Sequence, residues 1–387
     1  MSDKKILVNG MGTVGSRISR IALSLGVDVA GVKRTADLDD IKTQELVQLY
    51  EDFKDNSAEL SIYLTPGDDY DSRKKSFEEL GIEVSGSFDD LDFGEIGYIV
   101  DATPKHSEIK NYNDIYRKHS EINFMIQGGG EENITKAGFG DKPHIYLSAP
   151  NATGALYFDE MAQNNIKQVS CNTTFGASAL GLILGVENPE NVDNVYGVFV
   201  RRQRDPGTKK NEKLKIGPET KFGSHHGEDI EKVLEQLGGS ISPTIALKCP
   251  WEHFHETIIT VDFKDSYDYD KIISEFKSYP RAVLLEGDFD MEDVIERVSD
   301  LQIPDGDSLF PLYHLRKINE RRIEIVGLTP QRSIVAPSAS DMIVKKVLKP
   351  DATWEEAFNY TNDNAKWHGY KFHTLKKNLE NKLKPKI

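Results

Sequence analysis

With 387 residues, 38% of them hydrophobic and 29% charged, the chain is long enough for two domains and has the composition of a soluble globular protein. A net charge of −15 argues against nucleic acid as a partner, because a polyanion is repelled on average. No apolar run reaches about 18 residues and no charged-then-apolar leader opens the chain, so neither a membrane span nor a secretory signal is predicted. The two cysteines, 78 positions apart, make no disulfide framework and fit a reducing cytoplasmic setting.

Lys5-Ile6-Leu7-Val8-Asn9 reads as a short apolar strand running into Gly10-Met11-Gly12-Thr13-Val14-Gly15. Val14, Ile18, Ile21, Ala22 and Leu25 then fall on one helical face that Gly26 ends, and a second strand spans Val27 to Val32. Strand, Gly-x-Gly-x-x-Gly, helix and strand within about 30 residues is the pattern of a dinucleotide-binding unit. Its glycines allow a tight turn and close approach of a pyrophosphate, whose charge rests on the helix start. Gly10, Gly12, Thr13, Val14 and Gly15 are therefore candidate cofactor contacts. The second strand ends in Lys33-Arg34-Thr35, where an NAD-selective site would carry Asp or Glu for the ribose 2′-hydroxyl. Two cations suit a 2′-phosphate, so NADP is expected, alone or beside NAD.

Helical material from Asp40 to Phe53 and a turn-rich stretch near Pro66-Gly67 follow. The strands Gly97–Asp101 and Ile122–Ile126 lead into Ala102-Thr103-Pro104 and Gln127-Gly128-Gly129-Gly130. Such strand ends gather on one edge of a parallel sheet, where open α/β sheets bind ligands, which adds Thr103 and Gly128 to the cofactor candidates.

Val169-Ser170-Cys171-Asn172-Thr173-Thr174 then opens an apolar run, Ala177 to Leu184. The spacing places Cys171 at the N-terminus of a buried helix, where free N–H groups and the helix dipole favour a thiolate. Beyond it come longer alternating strands, at Val192–Val200, Thr257–Phe263, Ala282–Leu285 and Arg322–Gly327, which predict an α+β domain on a mostly antiparallel sheet. Three features can complete a site around the thiol. Arg201-Arg202 opens a stretch to Lys221 with a local charge of +5, suited to an anion such as phosphate. Ser224-His225-His226-Gly227 precedes a helical face of Ile230, Val233, Leu234 and Leu237, offering an anion pocket or simply an N-cap followed by exposed histidines. His253 and His255 share one face at strand spacing, and either can serve as the base for Cys171. No Cys-x-x-Cys or His-Glu-x-x-His spacing supports a metal.

Taken in order, Asn9-Gly10-Met11-Gly12-Thr13-Val14-Gly15, Gln127-Gly128-Gly129, Ser170-Cys171-Asn172-Thr173-Thr174, Val200-Arg201-Arg202 with Asp205-Pro206, Ser224-His225-His226-Gly227 and His253-x-His255 resemble the archaeal-type (class II) phosphorylating glyceraldehyde-3-phosphate dehydrogenases. The resemblance implies a homotetrameric enzyme of glycolysis or gluconeogenesis that uses NADP or NAD, with inorganic phosphate as co-substrate. It implies an α/β fold in which an N-terminal Rossmann-type dinucleotide-binding domain (1–170, completed by a helical segment, 333–365) joins an α+β catalytic domain (171–332) with a mostly antiparallel sheet. It implies Cys171 as nucleophile and His253 as its acid–base partner. Ser170, Asn172, Thr173, His226, Gly227 and Arg201 would line the substrate and phosphate subsites. Thr13, Val14, Gly128, Arg202 and Gln331 would contact the dinucleotide. The sequence departs from the family at Pro330-Gln331-Arg332-Ser333, where His-Gln-Glu-Ser is usual, and in a C-terminal stretch, 366–387, with a charge of +6 that reads as a helical or partly disordered add-on. The rival readings are another thioester-forming semialdehyde dehydrogenase of this fold and a catalytically silent dinucleotide-binding paralogue.

Overall fold

The computed structural model describes residues 4–34, 41–54, 58–104, 107–127, 144–146, 166–202, 217–218, 224–234, 245–249, 251–287 and 289–385. The chain divides into two units: Met1–Tyr146, Phe158–Gln168 and Ala336–Lys366 form the first, and Leu147–Tyr157, Val169–Val335 and Trp367–Ile387 the second.

The first unit runs β1 (Lys5–Asn9), α1 (Thr13–Ser24), β2 (Val29–Lys33), α2 (Ile41–Phe53), β3 (Leu60–Leu64), α3 (Tyr70–Glu79), β4 (Val84–Ser87), β5 (Ile96–Asp101), α4 (Ser107–Asp114), β6 (Asn123–Ile126), β7 (His144–Tyr146) and β8 (Ile166–Gln168). Among the described residues its eight strands lie in the order β4-β3-β2-β1-β5-β6-β8-β7, every neighbouring pair parallel. Strand β1 shows why: Ile6, Leu7 and Val8 are successive and all fully buried, so both faces of the sheet are covered, as a parallel sheet requires. Helix Ala336–Ile343, every residue of which is buried, returns late in the chain to pack on α1.

The second unit opens with α5 (Cys171–Leu184) and carries β9 (Val192–Arg202), β10 (Gly217–Pro218), α6 (His225–Leu234), β11 (Ile245–Cys249), β12 (His255–Phe263), β13 (Val283–Leu284), β14 (Leu312–Asn319) and β15 (Arg322–Thr329). Its sheet has the order β10-β11-β9-β12-β15-β14-β13. All pairs are antiparallel except β11–β9 and β13–β14. Burial alternates along β12, with Thr257, Ile259, Val261 and Phe263 inward, the signature of a sheet with one face on a core. The core side receives α5. Gly327 of β15 leaves room for the Phe175 ring, since a Cβ there would come within 2.6 Å of it. Tyr313 then packs on Phe175 with its ring tilted, 4.6 Å between ring centroids, and donates its hydroxyl to the Phe175 carbonyl at 3.2 Å.

The C-terminal stretch is not an add-on. Trp367, Phe372, Leu375, Leu379 and Leu383 are buried, the last four on one face of helix Phe372–Lys382 and its end. Phe372 meets Phe310 edge to face at 5.3 Å. The seven lysines of 366–387 obscure this stripe because they occupy the other positions. One of them, Lys376, is itself buried and donates to the carbonyls of Lys277 (2.5 Å) and Tyr279 (2.6 Å), satisfying the end of helix Tyr269–Ser278.

Candidate active site

In the first unit the Gly10–Gly15 turn divides its work among the three glycines. Gly10 sits at φ +104°, and a Cβ there would come within 2.8 Å of the Ala102 carbonyl and 2.9 Å of the Thr103 nitrogen. Gly15 packs α1 on the turn, its absent Cβ lying 2.2 Å from the Gly10 carbonyl oxygen. At Gly12 a Cβ would meet nothing within 4 Å, which is the open approach a pyrophosphate needs. Helix α1 starts there without a side-chain cap, so Thr13 and Val14 open a helix end suited to an anion. These residues fit a dinucleotide.

The neighbouring strand end is held by Asp101, which is buried. Its carboxylate accepts from the Thr103 amide (2.9 Å) and hydroxyl (2.5 Å), from Asn111 Nδ2 (2.9 Å) and from the Tyr116 hydroxyl (2.7 Å), to which Asn9 Nδ2 donates at 2.8 Å. This network fixes Thr103 beside Gly10, and sequence reasoning passed over its centre. Lys33 is not the outward cation the sequence reading made it. It is 7% exposed, and its Nζ donates to the Met11 carbonyl at 3.0 Å, inside the glycine turn. Arg34 is exposed, and its carbonyl is held by Arg73 at 2.6 Å. Gly128 lies outside the described residues.

In the second unit Ser170 caps α5, its hydroxyl accepting from the Thr173 amide at 3.3 Å and meeting the Thr173 hydroxyl at 2.9 Å. Cys171 follows as the first helical residue, half-buried and free of any disulfide. Helix α6 is brought against it by Gly176, where Ile230 fills the place of a side chain: a Cβ would lie 2.4 Å from Ile230 Cδ1. One turn earlier in both helices, Asn172 faces His226, with Nδ2 3.2 Å from the ring Nε2. The other ring nitrogen, Nδ1, is 3.3 Å from the Ser170 hydroxyl. Both ring nitrogens of His226 thus have a hydrogen-bonding partner at the start of α5. Phe199 packs on the ring at 5.1 Å and leaves His226 2% exposed. His226 therefore ties the helix starts together rather than standing exposed. The Gly227 amide donates to the Ser224 carbonyl at 3.1 Å, within the first turn of α6.

Arg202 ends β9 and is 6% exposed. Its guanidinium donates to the Glu252 carbonyl and to Gln331 Oε1, and its amide donates to His255 Nδ1 at 2.9 Å. His255 is thereby committed to the sheet. The prediction that His253 and His255 share a strand face does not hold, because β12 begins only at His255 and His253 lies in the bend before it. The chain leading into that bend is fixed by the Arg202–Glu252 bond and by the Trp251 amide on the Cys249 carbonyl at 2.9 Å. Burial pushes the Cys171 thiol above its ordinary pKa; the positive charges of Arg201 and Arg202 and the helix-start amides of Cys171 and Asn172 oppose it. The structure thus assembles Ser170, Cys171, Asn172, Thr173, His226 and the two arginines, and pairs Arg202 with Gln331.

A buried carboxylate missing from the sequence reading stands behind Gln331. Asp307 faces Arg332 at 4.0 Å and accepts from the Ser333 hydroxyl. The departure at Arg332 is thus answered by a buried opposite charge. Nothing in Pro304-Asp305-Gly306-Asp307 but a turn signal marks it in advance.

A parallel sheet with a Gly-x-Gly-x-x-Gly turn, and a second, largely antiparallel sheet whose core helix begins at a cysteine, define an α/β protein with a Rossmann-type unit. Comparison with known proteins narrows this. The chain is 30% identical over 346 residues to the glyceraldehyde-3-phosphate dehydrogenase of Picrophilus torridus, covering 88% of this chain and 91% of that one. It is 27% identical over 367 residues to the enzyme of that name from Pyrococcus abyssi, covering 92% and 97% of the two chains. For the one from Aeropyrum pernix the identity is 26% over 373 residues, covering 94% and 97%. No family model matches the chain. The chain belongs to the glyceraldehyde-3-phosphate dehydrogenase family, as a distant, full-length relative of the archaeal, class II proteins.

Proposed function

We propose that the protein catalyses the reversible, phosphorylating oxidation of glyceraldehyde 3-phosphate to 1,3-bisphosphoglycerate, with Cys171 as nucleophile and His253 as its acid–base partner. The observation that carries this reading is a cysteine heading a buried helix, with Ser170, Asn172 and His226 fastened around it and two arginine charges acting on it.

The Cys171 thiolate attacks the aldehyde carbon to give a thiohemiacetal, and His253 takes the hydroxyl proton as that carbon is oxidised to a thioester. A dinucleotide, NADP or NAD, would supply the hydride acceptor; Gly10, Gly12, Thr13, Val14, Gly15, Thr103 and Arg34 would hold it, with Arg202 and Gln331 as further contacts that the family resemblance implies. Inorganic phosphate, held by Arg201 and the Ser170–His226 cluster, attacks the thioester; the C–S bond breaks, and the acyl phosphate leaves with the thiol restored. The low-dielectric helix start costs the free thiol acidity, so bound anion and cofactor charges have most effect on the thiolate there.

A homotetramer fits the open face of the second sheet. Tyr196 (47% exposed) and Ile245 (48%) stand there, and Val198, Ile258 and Val326, half-buried, lie side by side across β9, β12 and β15. No helix among the described residues is long and apolar enough to cross a membrane. Both cysteines are free, which suits an enzyme of the reducing cytoplasm.

Omitting phosphate tests the mechanism directly. Mixing protein, oxidised cofactor and glyceraldehyde 3-phosphate without phosphate should leave the acyl group on the Cys171 peptide by mass spectrometry. An unmodified peptide in a sample acid-quenched after the first equivalent of cofactor reduction would contradict the thioester. Cys171→Ser should abolish cofactor reduction while dinucleotide binding persists, and His253→Asn should lower kcat more than it raises KM.

A further inference from the structure

The C-terminal segment touches, through a short chain of buried polar contacts, the arginine that acts on the thiol. The Trp367 indole, 1% exposed, donates Nε1–H to the Asp307 carbonyl at 3.0 Å. Phe372 packs on Phe310, three residues beyond Asp307. The Asp307 carboxylate holds Arg332 and Ser333, the two residues that follow Gln331. The turn is closed by the Ser333 and Ile334 amides on the Pro330 carbonyl, at 3.1 and 3.0 Å. Gln331 in turn accepts from Arg202, whose other guanidinium nitrogen is fixed by the Glu252 carbonyl beside His253. Asp307, Arg332, Ser333 and Arg202 are all buried, so these are geometry-setting bonds in a medium where a missing partner is costly.

We propose that Asp307 is a positioning residue for the thiol site, acting through Gln331 and Arg202, and that the start of the C-terminal segment, through Trp367 and Phe372, serves the second unit by holding Asp307 in place. The inference rests on Cys171 being the reactive group. It is independent of which aldehyde is the substrate. Arg202 holds its place because Gln331 and Glu252 take its two terminal guanidinium nitrogens. Gln331 holds its place because Asp307 anchors the next two residues. A carboxylate that served stability alone would affect the melting temperature and leave the thiol indifferent to it.

The test is the pH profile of iodoacetamide alkylation at Cys171, followed by mass spectrometry of its peptide so that Cys249 does not contribute. Arg202→Gln removes the charge outright and sets the full effect. Asp307→Asn should move the profile the same way, lowering the rate about threefold or more at a fixed pH below the midpoint, since one pKa unit is tenfold in thiolate. Trp367→Phe, which keeps an aromatic ring and removes the donor, should move it less and in the same direction. Lys376→Met loosens the segment at its other anchor, on the Lys277 and Tyr279 carbonyls, and should lower the melting temperature without moving the profile. If Asp307→Asn does not fold, Ser333→Ala and Trp367→Phe carry the test. The proposal is overturned if these variants melt earlier with the wild-type alkylation profile, or if Arg202→Gln itself leaves the profile unchanged. Because no substrate is present, absence of dehydrogenase activity would sink the reaction proposed above and leave this result standing.

Discussion

At Cys171, burial and the helix start pull in opposite directions, and burial prevails. A raised thiol pKa means that the neutral form is favoured in the folded chain. Its contribution to stability is full below the unfolded value and is lost as pH rises through the folded one. For the ligand-free protein the alkylation rate at Cys171 should therefore still be climbing at pH values where an ordinary cysteine has levelled off; a plateau near neutrality would contradict it. At the other end of the site, the pair Lys33-Arg34 is split by its surroundings. Arg34→Gln should weaken NADP more than NAD, read as a rise in KM for NADP alone, whereas Lys33→Met should lower stability by releasing the Met11 carbonyl. Equal effects of Arg34→Gln on both cofactors would remove it from the 2′-phosphate reading. These residues also mark the limit of the sequence. It exposed the cysteine, because a Ser-Cys-Asn-Thr-Thr run ahead of an apolar helix is a local pattern. It did not tell which way Lys33 points, or that β12 begins after His253, since both depend on partners that sit 22 and about 50 positions away.

Among the elements, the placement of α5 depends on two glycines with ordinary backbone geometry. Gly176 admits Ile230 of α6, and Gly327 admits Phe175. Gly176→Val should cost about 1–3 kcal/mol through overpacking. It should also spread the Asn172–His226 contact one turn away, raising KM for phosphate, as read in a thermal melt and a phosphate titration. A melt shift with unchanged phosphate KM would separate packing from the site. Neither role was legible in the sequence, where Gly176 reads as one small residue in an apolar run. The C-terminal helix misled for a related reason: lysine counts report the solvated face, and the stripe Phe372, Leu375, Leu379 and Leu383 emerges only when spacing is weighed before charge.

Over the whole molecule, the alternation of short apolar strands with helices, then of longer amphipathic strands, was enough to give a parallel sheet followed by a mostly antiparallel one. Burial on both faces or on one face leaves different periods in the sequence. What escaped were the long-range polar ties, Asp101 in the first unit and Asp307 in the second, because a single acidic residue at a strand end or in a turn has many uses. The division of labour between a dinucleotide unit and a thiol unit leads to one decisive assay: absorbance at 340 nm with glyceraldehyde 3-phosphate and NADP, then NAD, with and without phosphate. Sustained formation of reduced cofactor that depends on phosphate is the result expected. Equal rates without phosphate would contradict the acyl-phosphate chemistry and favour hydrolysis of the thioester, and no signal with either cofactor despite dinucleotide binding would contradict the proposed reaction itself.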